Sequence, residues 1–313
     1  MPSRKNSQRA PKSTLKSDRA PRPLGARKKD QCTLTMRLGP QTGAVFPVRG
    51  GSMVLGRADD ASVRIDDPEV SWRHARVYRS GVAYLVEDLG STNGTRVEDE
   101  RIARPRRLGD GDRVRIGGAV LEVALQDAEE QAAVFQLYQS AIRDPLTGIH
   151  NRRYLDERLE GELAFAQRHG SRLSLLILDV DHFKRINDEL GHPAGDAVLR
   201  ALAQMLAEAV RTEDVLGRYG GEEFAIIVRG IDQAGAVLLA ERIRSTVGTT
   251  RIPWHRRTIS LTISVGVATH TPDRPYDDVP AFVGAADEAL LRAKRTGRDR
   301  VCVATRGTRR RRP

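Results

Sequence analysis

Glu222 and Glu223 follow two glycines in the stretch RYGGEEF, Arg218 to Phe224. The apolar runs on either side, VLGRY and FAIIV, predict a β-hairpin whose tip carries two acids. Gly220 and Gly221 suit such a turn because glycine admits φ > 0 and leaves no side chain over it. A charged turn with no chemistry is the plain alternative. A second acidic pair, Asp179 and Asp181, ends the apolar run LSLLIL. Two residues apart, they share a strand face wherever extended geometry persists. Asp181 is read as the N-cap of the helix that follows, whereas Asp179 caps nothing and ends a buried strand. If strand and hairpin are sheet neighbours, Asp179, Glu222 and Glu223 meet. Clustered carboxylates repel unless a cation joins them. Hard oxygen ligands suit Mg²⁺, which shares its shell with substrate phosphates. A helix beginning at His182 aims free N–H groups at the same place, a natural phosphate site.

The elements that must hold these residues follow Pro145. Helices are expected over 152–169, 183–190, 194–210, 234–247 and 281–295. Strands are expected over 173–178, 258–269 and 300–304, besides the hairpin. A few strands in one sheet with helices on one face fit an α+β fold. Before Pro145 the pattern changes. Residues 33–125 hold short alternating strands separated by Gly, Pro, Asp and Asn, which argues an all-β sandwich. Between them, residues 127–143 contain no Gly or Pro and repeat Ala128, Ala132, Phe135 and Ile142 at near-heptad spacing. This stretch reads as a helical connector, either a short coiled coil or a surface helix packed on its own domain.

Composition bounds the alternatives. The chain of 313 residues is long enough for two cores, and its apolar content of 39% is that of ordinary soluble domains. The net charge of +11 invites a nucleic-acid reading. Residues 1–31, however, hold ten Lys or Arg against two Asp, and residues 304–313 hold five Arg and no acid. The body between is slightly acidic, so the basicity belongs to a disordered arm (1–31) and a basic tail (306–313), and no specific nucleic-acid partner is expected. Cys32 and Cys302 lack metal-ligand spacing and read as reduced thiols of a cytoplasmic protein. No apolar run approaches a membrane span, and the polar N-terminus shows no signal peptide.

Taken in order, DPLTGIHNRRYLDERL, DVDHFKRINDELGHPAGD, RYGGEEF and AKRTGR resemble the signature of GGDEF-family diguanylate cyclases, over residues 144–305. The resemblance implies the palm-like α+β fold of nucleotidyl cyclases, two bound Mg²⁺ per active site, and condensation of two GTP into cyclic di-GMP with loss of pyrophosphate. By that resemblance Asp179 and Glu223 are metal ligands, assisted by the Val180 carbonyl, and Glu222 binds metal or takes the 3′-hydroxyl proton. His182, Phe183 and Lys184 face phosphate, Gly220 and Gly221 leave a bare surface for the nucleotide, and Lys294 and Arg298 clamp the triphosphate. Asn187 and Asp196 are similar to the guanine readers. A carboxylate at 196 makes chemical sense, since it accepts from the N–H groups of guanine that adenine lacks. Each site holds one GTP, so the active form is expected to be a homodimer. Arg211 and Asp214 match the family's product-inhibition motif, with Arg242 as its secondary arginine. Leu291 and Asp299 depart from the Tyr and Asn common in the family. The alternative is a catalytically silent cyclic di-GMP receptor.

VLGR, VSWRHARV and DLGSTNGT, within residues 32–125, resemble a forkhead-associated (FHA) domain, a phosphothreonine-binding sandwich. The resemblance implies that Arg57, Ser71, Arg73 and Thr92 contact phosphate and that Asn93 holds the peptide backbone. Gly56, His74 and Gly94 would support the loops. Arginines with hydroxyl donors make a coherent dianion pocket. Trp72 departs from the polar residue often found after that Ser. The expected assembly is thus multidomain: an all-β FHA sandwich, a helical connector (126–143) and an α+β GGDEF domain. A phosphothreonine peptide is its expected ligand, either external or its own arm at Thr14.

Overall fold

Alternation of apolar and polar residues turns the first part of the chain into two facing sheets. The computed structural model describes residues 29–305. Its first strands are β1 (Gln31–Leu38), β2 (Val45–Pro47), β3 (Ser52–Gly56), β4 (Val63–Arg64), β5 (Ala75–Ser80) and β6 (Ala83–Asp88). They continue with β7 (Thr95–Val97), β8 (Glu100–Arg101), β9 (Arg106–Arg107), β10 (Arg113–Ile116) and β11 (Ala119–Gln126). One sheet runs β2-β1-β11-β10-β7-β8, the other β4-β3-β5-β6-β9. Leu34, Met36 and Leu121 of the first share a buried core with Leu55, Val77 and Val86 of the second. This is the expected sandwich. Most of the basic arm, with Thr14, and the tail 306–313 lie outside the described residues. Gln31, assigned by sequence to the arm, instead opens β1 and pairs with Gln126.

The connector helix α1 (Ala128–Ile142) starts on a capping box. The Asp127 carboxylate accepts from the Glu129 and Glu130 N–H groups at 2.9 Å, and Glu130 accepts from the Asp127 N–H. α1 lies along the sandwich. The Gln131 amide donates to the Cys32 carbonyl at 2.8 Å, and the Arg49 guanidinium sits 4.7 Å over the Phe135 ring. At the other end, the Asn151 amide donates to the Ala141 carbonyl at 2.8 Å.

The rest alternates helix and strand: α2 (Arg152–His169), β12 (Leu173–Val180), α3 (Phe183–Leu190), α4 (His192–Ala209), β13 (Val215–Arg218), β14 (Glu223–Arg229) and α5 (Gln233–Thr249). There follow β15 (Ile252–Trp254), β16 (Arg257–Ile259), β17 (Ile263–His270), α6 (Val279–Arg295) and β18 (Val301–Val303). The sheet order is β13-β14-β12-β17-β18, antiparallel except for β17 with β18.

Helices cover both faces of this sheet, not one as the sequence suggested. Phe183, Leu202 and Ile243 of α3, α4 and α5 pack with Ile226 and Val265 on one side. Leu159 of α2 and Phe282 of α6 pack with Ile177 and Ile227 on the other. Every residue of β12 and β17 is buried, the pattern of a doubly covered strand. The single strand expected over 258–269 is also divided. It breaks at residues 260–262, and its first part pairs instead with β15. Among the described residues no helix is long and apolar enough to cross a membrane.

Gly266 shows how tightly α6 sits on β17. A Cβ there would lie 2.2 Å from the Ala286 carbonyl oxygen and 2.4 Å from the Leu290 nitrogen, backbone atoms that cannot step aside. Gly266→Ala is expected to destabilise the chain by about 2–3 kcal/mol, read as a lowered midpoint in denaturant. An unchanged midpoint would mean that the helix can lift from the sheet at little cost.

Candidate active site

The pairing register sets the site. Asp179, near the end of β12, lies opposite Glu223, the first residue of β14, and opposite Ser264 of β17 on its other side. Glu222 immediately precedes β14, and its carbonyl accepts from the Val180 N–H at 3.3 Å. The three acids named from the sequence are therefore brought to one end of the sheet. Lys294, in the last turn of α6, places its ammonium 2.7 Å from the Asp179 carboxylate. Arg298 lies just past the helix end, exposed and with φ of 61°.

Burial pushes the Asp179 carboxyl above its ordinary value; Lys294 pulls it back, and the charges of Glu223 and Asp181 raise it again. Glu222 is raised by burial and by the charge on Asp179, with Lys294 opposing. These acids therefore call for more positive charge than one lysine supplies. Among the described residues no three His, Cys, Asp or Glu side chains close a metal cage by themselves. The donor set fits Mg²⁺, which takes the remainder of its shell from water and phosphate.

The hairpin tip departs from expectation. Neither Gly220 nor Gly221 has a positive φ. A Cβ on Gly220 would stand 2.6 Å from Glu223 Oε2, so a side chain there would displace that carboxylate. At Gly221 the space is open, so the tip presents a bare backbone. Arg218 holds it: the guanidinium donates to the Gly221 carbonyl at 2.6 Å and pairs with Asp144 at 3.2 Å. Burial raises the Asp144 carboxyl, but the Thr147 hydroxyl and N–H and the Arg218 charge outweigh it and hold it low.

Asp181 is not an N-cap. His182 occupies that position in a left-handed conformation and makes no side-chain cap, so no side chain closes the first N–H groups of α3. The buried Asp181 carboxylate instead accepts from the Thr262 and Ser264 hydroxyls, both at 2.7 Å, and from the Asp299 N–H at 3.0 Å. It ties the β12–α3 turn to β17 and to the loop after α6. The break at residues 260–262 places Thr262 for this contact. Phe183 is buried and offers only its backbone to a ligand, while His182 and Lys184 are exposed. Asn187 lies against Gly195, the residue before Asp196, since a Cβ on Gly195 would stand 2.1 Å from Asn187 Oδ1. Arg218, Asp144, Thr262 and Ser264 were missed by sequence reasoning. The only sequence signal was that Asp144 and Arg218 sit inside the quoted motifs.

Arg211 and Asp214 lie elsewhere, near the opposite end of β14. With Arg242 they line a cleft of about 700 Å³ whose apolar lining includes Val228, Leu238 and Leu239. Asp214 accepts from the Arg211 N–H at 3.0 Å, while the Arg211 guanidinium leans toward Glu213. Asp214 Oδ1 is buried with no partner among the described residues, and burial raises this carboxyl. The Arg242 guanidinium donates to the Ala209 carbonyl.

A third site lies on the sandwich loops. The Thr92 N–H donates to the Ser71 hydroxyl at 3.1 Å, and the two hydroxyls stand 3.5 Å apart. The Arg57 guanidinium lies 5.3 Å over the Trp72 ring, with its Nε buried and unpartnered among the described residues. Arg73 pairs with Asp60, and the Asn93 amide donates to the Glu69 carbonyl at 2.8 Å. Buried His74 braces the loops, accepting from the Ser71 N–H on Nδ1 and meeting the Gly94 carbonyl with Nε2. Gly56 is obligatory, because a Cβ would reach 2.2 Å from the Trp72 carbonyl. Asp88, which sequence reasoning missed, fastens the second loop through the N–H groups of Gly90 and Ser91 and two hydroxyls.

A palm-like sheet with acids at one strand end defines a nucleotide-handling class of domain. The family model for the diguanylate cyclase GGDEF domain matches residues 141–300, and that for the FHA domain matches residues 53–117. The first match spans half of the chain, which belongs to the GGDEF diguanylate cyclase family and carries an FHA domain before it. Among curated proteins, diguanylate cyclase DgcP of Pseudomonas aeruginosa is 42% identical over 166 residues, 53% of this chain and 24% of the relative. Response regulator PleD of Caulobacter vibrioides is 41% identical over 163 residues, 51% of this chain and 36% of the relative. The chain thus spans less than half the length of the curated relatives it matches. Among solved structures, the coiled coil and GGDEF domain of DgcB from Caulobacter crescentus, in complex with c-di-GMP, superposes with a TM-score of 0.53 at 31% identity. That likeness covers 56% of this chain and 92% of the other. Diguanylate cyclase SiaD of P. aeruginosa, bound to its activator SiaC, gives 0.52 at 41% identity, covering 56% and 66%.

A carboxylate whose folded pKa is raised loses stability as pH climbs through that value, and the loss is absent below the unfolded pKa. Mg²⁺ is therefore expected to raise the melting temperature more at pH 7.5 than at pH 5, by about 2–4 °C. Asp179→Asn should erase most of that difference. Equal increments at both pH values would place the cation elsewhere.

Proposed function

We propose that the chain condenses two GTP into cyclic di-GMP, using the Asp179–Glu222–Glu223–Lys294 cluster as its catalytic centre. The observation that carries this reading is the meeting of these four groups at one end of the family's sheet. In each of two steps the 3′-hydroxyl of one GTP attacks the α-phosphorus of the other. A new P–O bond forms, the α–β bridging bond breaks, pyrophosphate leaves, and the hydroxyl gives up its proton. Glu222, raised by burial and by Asp179, is suited to take that proton. Two Mg²⁺, held by Asp179, Glu223 and the Val180 carbonyl, would supply charge neutralisation at the α-phosphate. Lys294, with Arg298, neutralises the triphosphate; the uncapped start of α3, with His182 and Lys184 beside it, receives phosphate oxygens. Asp196 and Asn187 read the guanine edge. Gly220 and Gly221 leave the hairpin bare for the nucleotide.

One such site holds one GTP, so the working form is a homodimer with sites face to face. Product returns to the cleft at Arg211, Asp214 and Arg242, with the Asp214 carboxylate accepting from guanine N–H groups and the arginines donating to it. A phosphothreonine peptide engages Arg57, Ser71, Arg73 and Thr92, with Asn93 on its backbone; Thr14 of the same chain is one candidate donor. A cytoplasmic location fits a nucleoside triphosphate substrate.

The test is product analysis with GTP and Mg²⁺, with cyclic di-GMP removed enzymatically to avoid inhibition. Cyclic di-GMP is expected, and Glu223→Gln should lower turnover by at least about 10²-fold. No product even after forced dimerisation would leave the silent-receptor reading standing. Arg211→Ala is expected to keep turnover while product accumulates; unchanged inhibition would move the inhibitory site elsewhere. A phosphothreonine peptide spanning Thr14 should bind the chain and lose binding in Arg57→Ala. No binding would assign the pocket to an external peptide.

A further inference from the structure

The sandwich touches the cyclase domain through a buried cluster of charges. Arg158 and Glu162, one turn apart on α2, pair at 2.6 Å, and their side chains are only 8% and 5% exposed. Arg158 also donates to the Pro40 carbonyl in the β1–β2 turn of the sandwich. Arg229, the last residue of β14, donates to Glu162 and, at 3.0 Å, to Asp66 of the sandwich. Two guanidiniums thus share one carboxylate of their own domain, and Asp66 supplies the second negative charge. Arg64, itself paired with Asp59, lies 3.9 Å behind Asp66. The charge set on the cyclase side is completed by the sandwich.

Arg229 and Asp66 each lead further. Arg229 lies between Val228 and Ile231, both of which line the cleft together with Arg211 and Asp214. On the sandwich side, Asp67 accepts from the Glu69 N–H at 2.8 Å, and the Glu69 carbonyl accepts from Asn93. Bonded groups therefore run from the phosphopeptide loop to Arg229, whose neighbours Val228 and Ile231 line the nucleotide cleft. Such a line transmits only if the two ends bias one equilibrium.

We propose that the Asp66–Arg229 contact couples docking of the FHA sandwich to the cleft at Arg211 and Asp214, so that docking tightens cyclic di-GMP binding there. This rests on the reading of that cleft as the product site. Docking anchors Arg229 and with it the strand end that carries the wall of the cleft, so less order remains to be imposed by the nucleotide. By reciprocity, cyclic di-GMP strengthens docking by the same factor.

The test is calorimetric titration of cyclic di-GMP into the full chain, its Asp66→Asn variant and an Asp99→Asn control. Asp99 pairs with Arg115 on the sandwich surface. Asp66→Asn is expected to raise Kd by about fivefold or more, and Asp99→Asn to leave it unchanged. Arg229→Lys, which keeps the charge but not the two-sided fork, should weaken binding in the same direction. In the wild type, cyclic di-GMP should slow hydrogen exchange over residues 59–70, and in Asp66→Asn it should not. Wild-type binding with the same Kd in both variants would overturn the coupling alone. No binding to the wild type would overturn the reading of the cleft and the coupling with it.

Discussion

A buried strand that ends in an acid has to be given a counter-charge, and much of the cyclase domain is arranged around that need. Asp179 is carried to the edge of the core by β12, whose every residue is buried. Water cannot solvate it fully there, and two glutamates stand close by. Lys294 answers with one positive charge at 2.7 Å. The lysine can do so only because α6 lies close on β17, which in turn requires a glycine at 266. Packing on one face of the sheet thus determines the electrostatics at its end.

Around the acids, the supporting contacts are backbone-directed. Arg218 grips the Gly221 carbonyl, and Asp181 gathers two hydroxyls and an N–H from β17 and the loop after α6. Both leave the carboxylates of Glu222 and Glu223 unengaged by these anchors. The same division of labour recurs in the sandwich. His74 and Asp88 spend their hydrogen bonds on loop backbone, and the groups suited to phosphate, the Arg57 guanidinium and the Ser71 and Thr92 hydroxyls, stay at the surface. In each site a buried polar residue fixes the loop so that its neighbour can meet a ligand.

Legibility in the sequence followed the range of the forces involved. Local signals carried far: the hairpin around Gly220 and Gly221, the capped helix after Asp127 and the alternation of the sandwich strands are short-range patterns. The two-sided covering of the sheet was missed: the run of β12 was read as a strand, but its unbroken apolar pattern, the mark of cover on both faces, was not used. Asp181 was misjudged because an acid just before a helix is also a natural cap. Its true partners, Thr262 and Ser264, are some eighty residues away and reveal themselves only by sheet pairing. At the hairpin glycines positive φ was expected and is absent; a Cβ on Gly220 would instead meet the Glu223 carboxylate, while the space at Gly221 is open. The contact of Asp66 with Arg229 left no sequence trace, since neither residue belongs to a motif and the pair spans two domains.

β14 joins the two ends of this argument. It begins at Glu223, in the acidic cluster, and ends at Arg229, beside the sandwich and the cleft at Asp214. The six steps between them span about 20 Å, and Phe224 through Val228 are all buried. A strand packed on both faces and paired on both edges does not bend easily, so a displacement at one end is felt at the other as tilt and not absorbed along the way. The sandwich reaches this strand at the end away from the acids, where Asp66 meets Arg229. It holds the far end of the strand that presents Glu223, and the cleft at Asp214 leans on that same end.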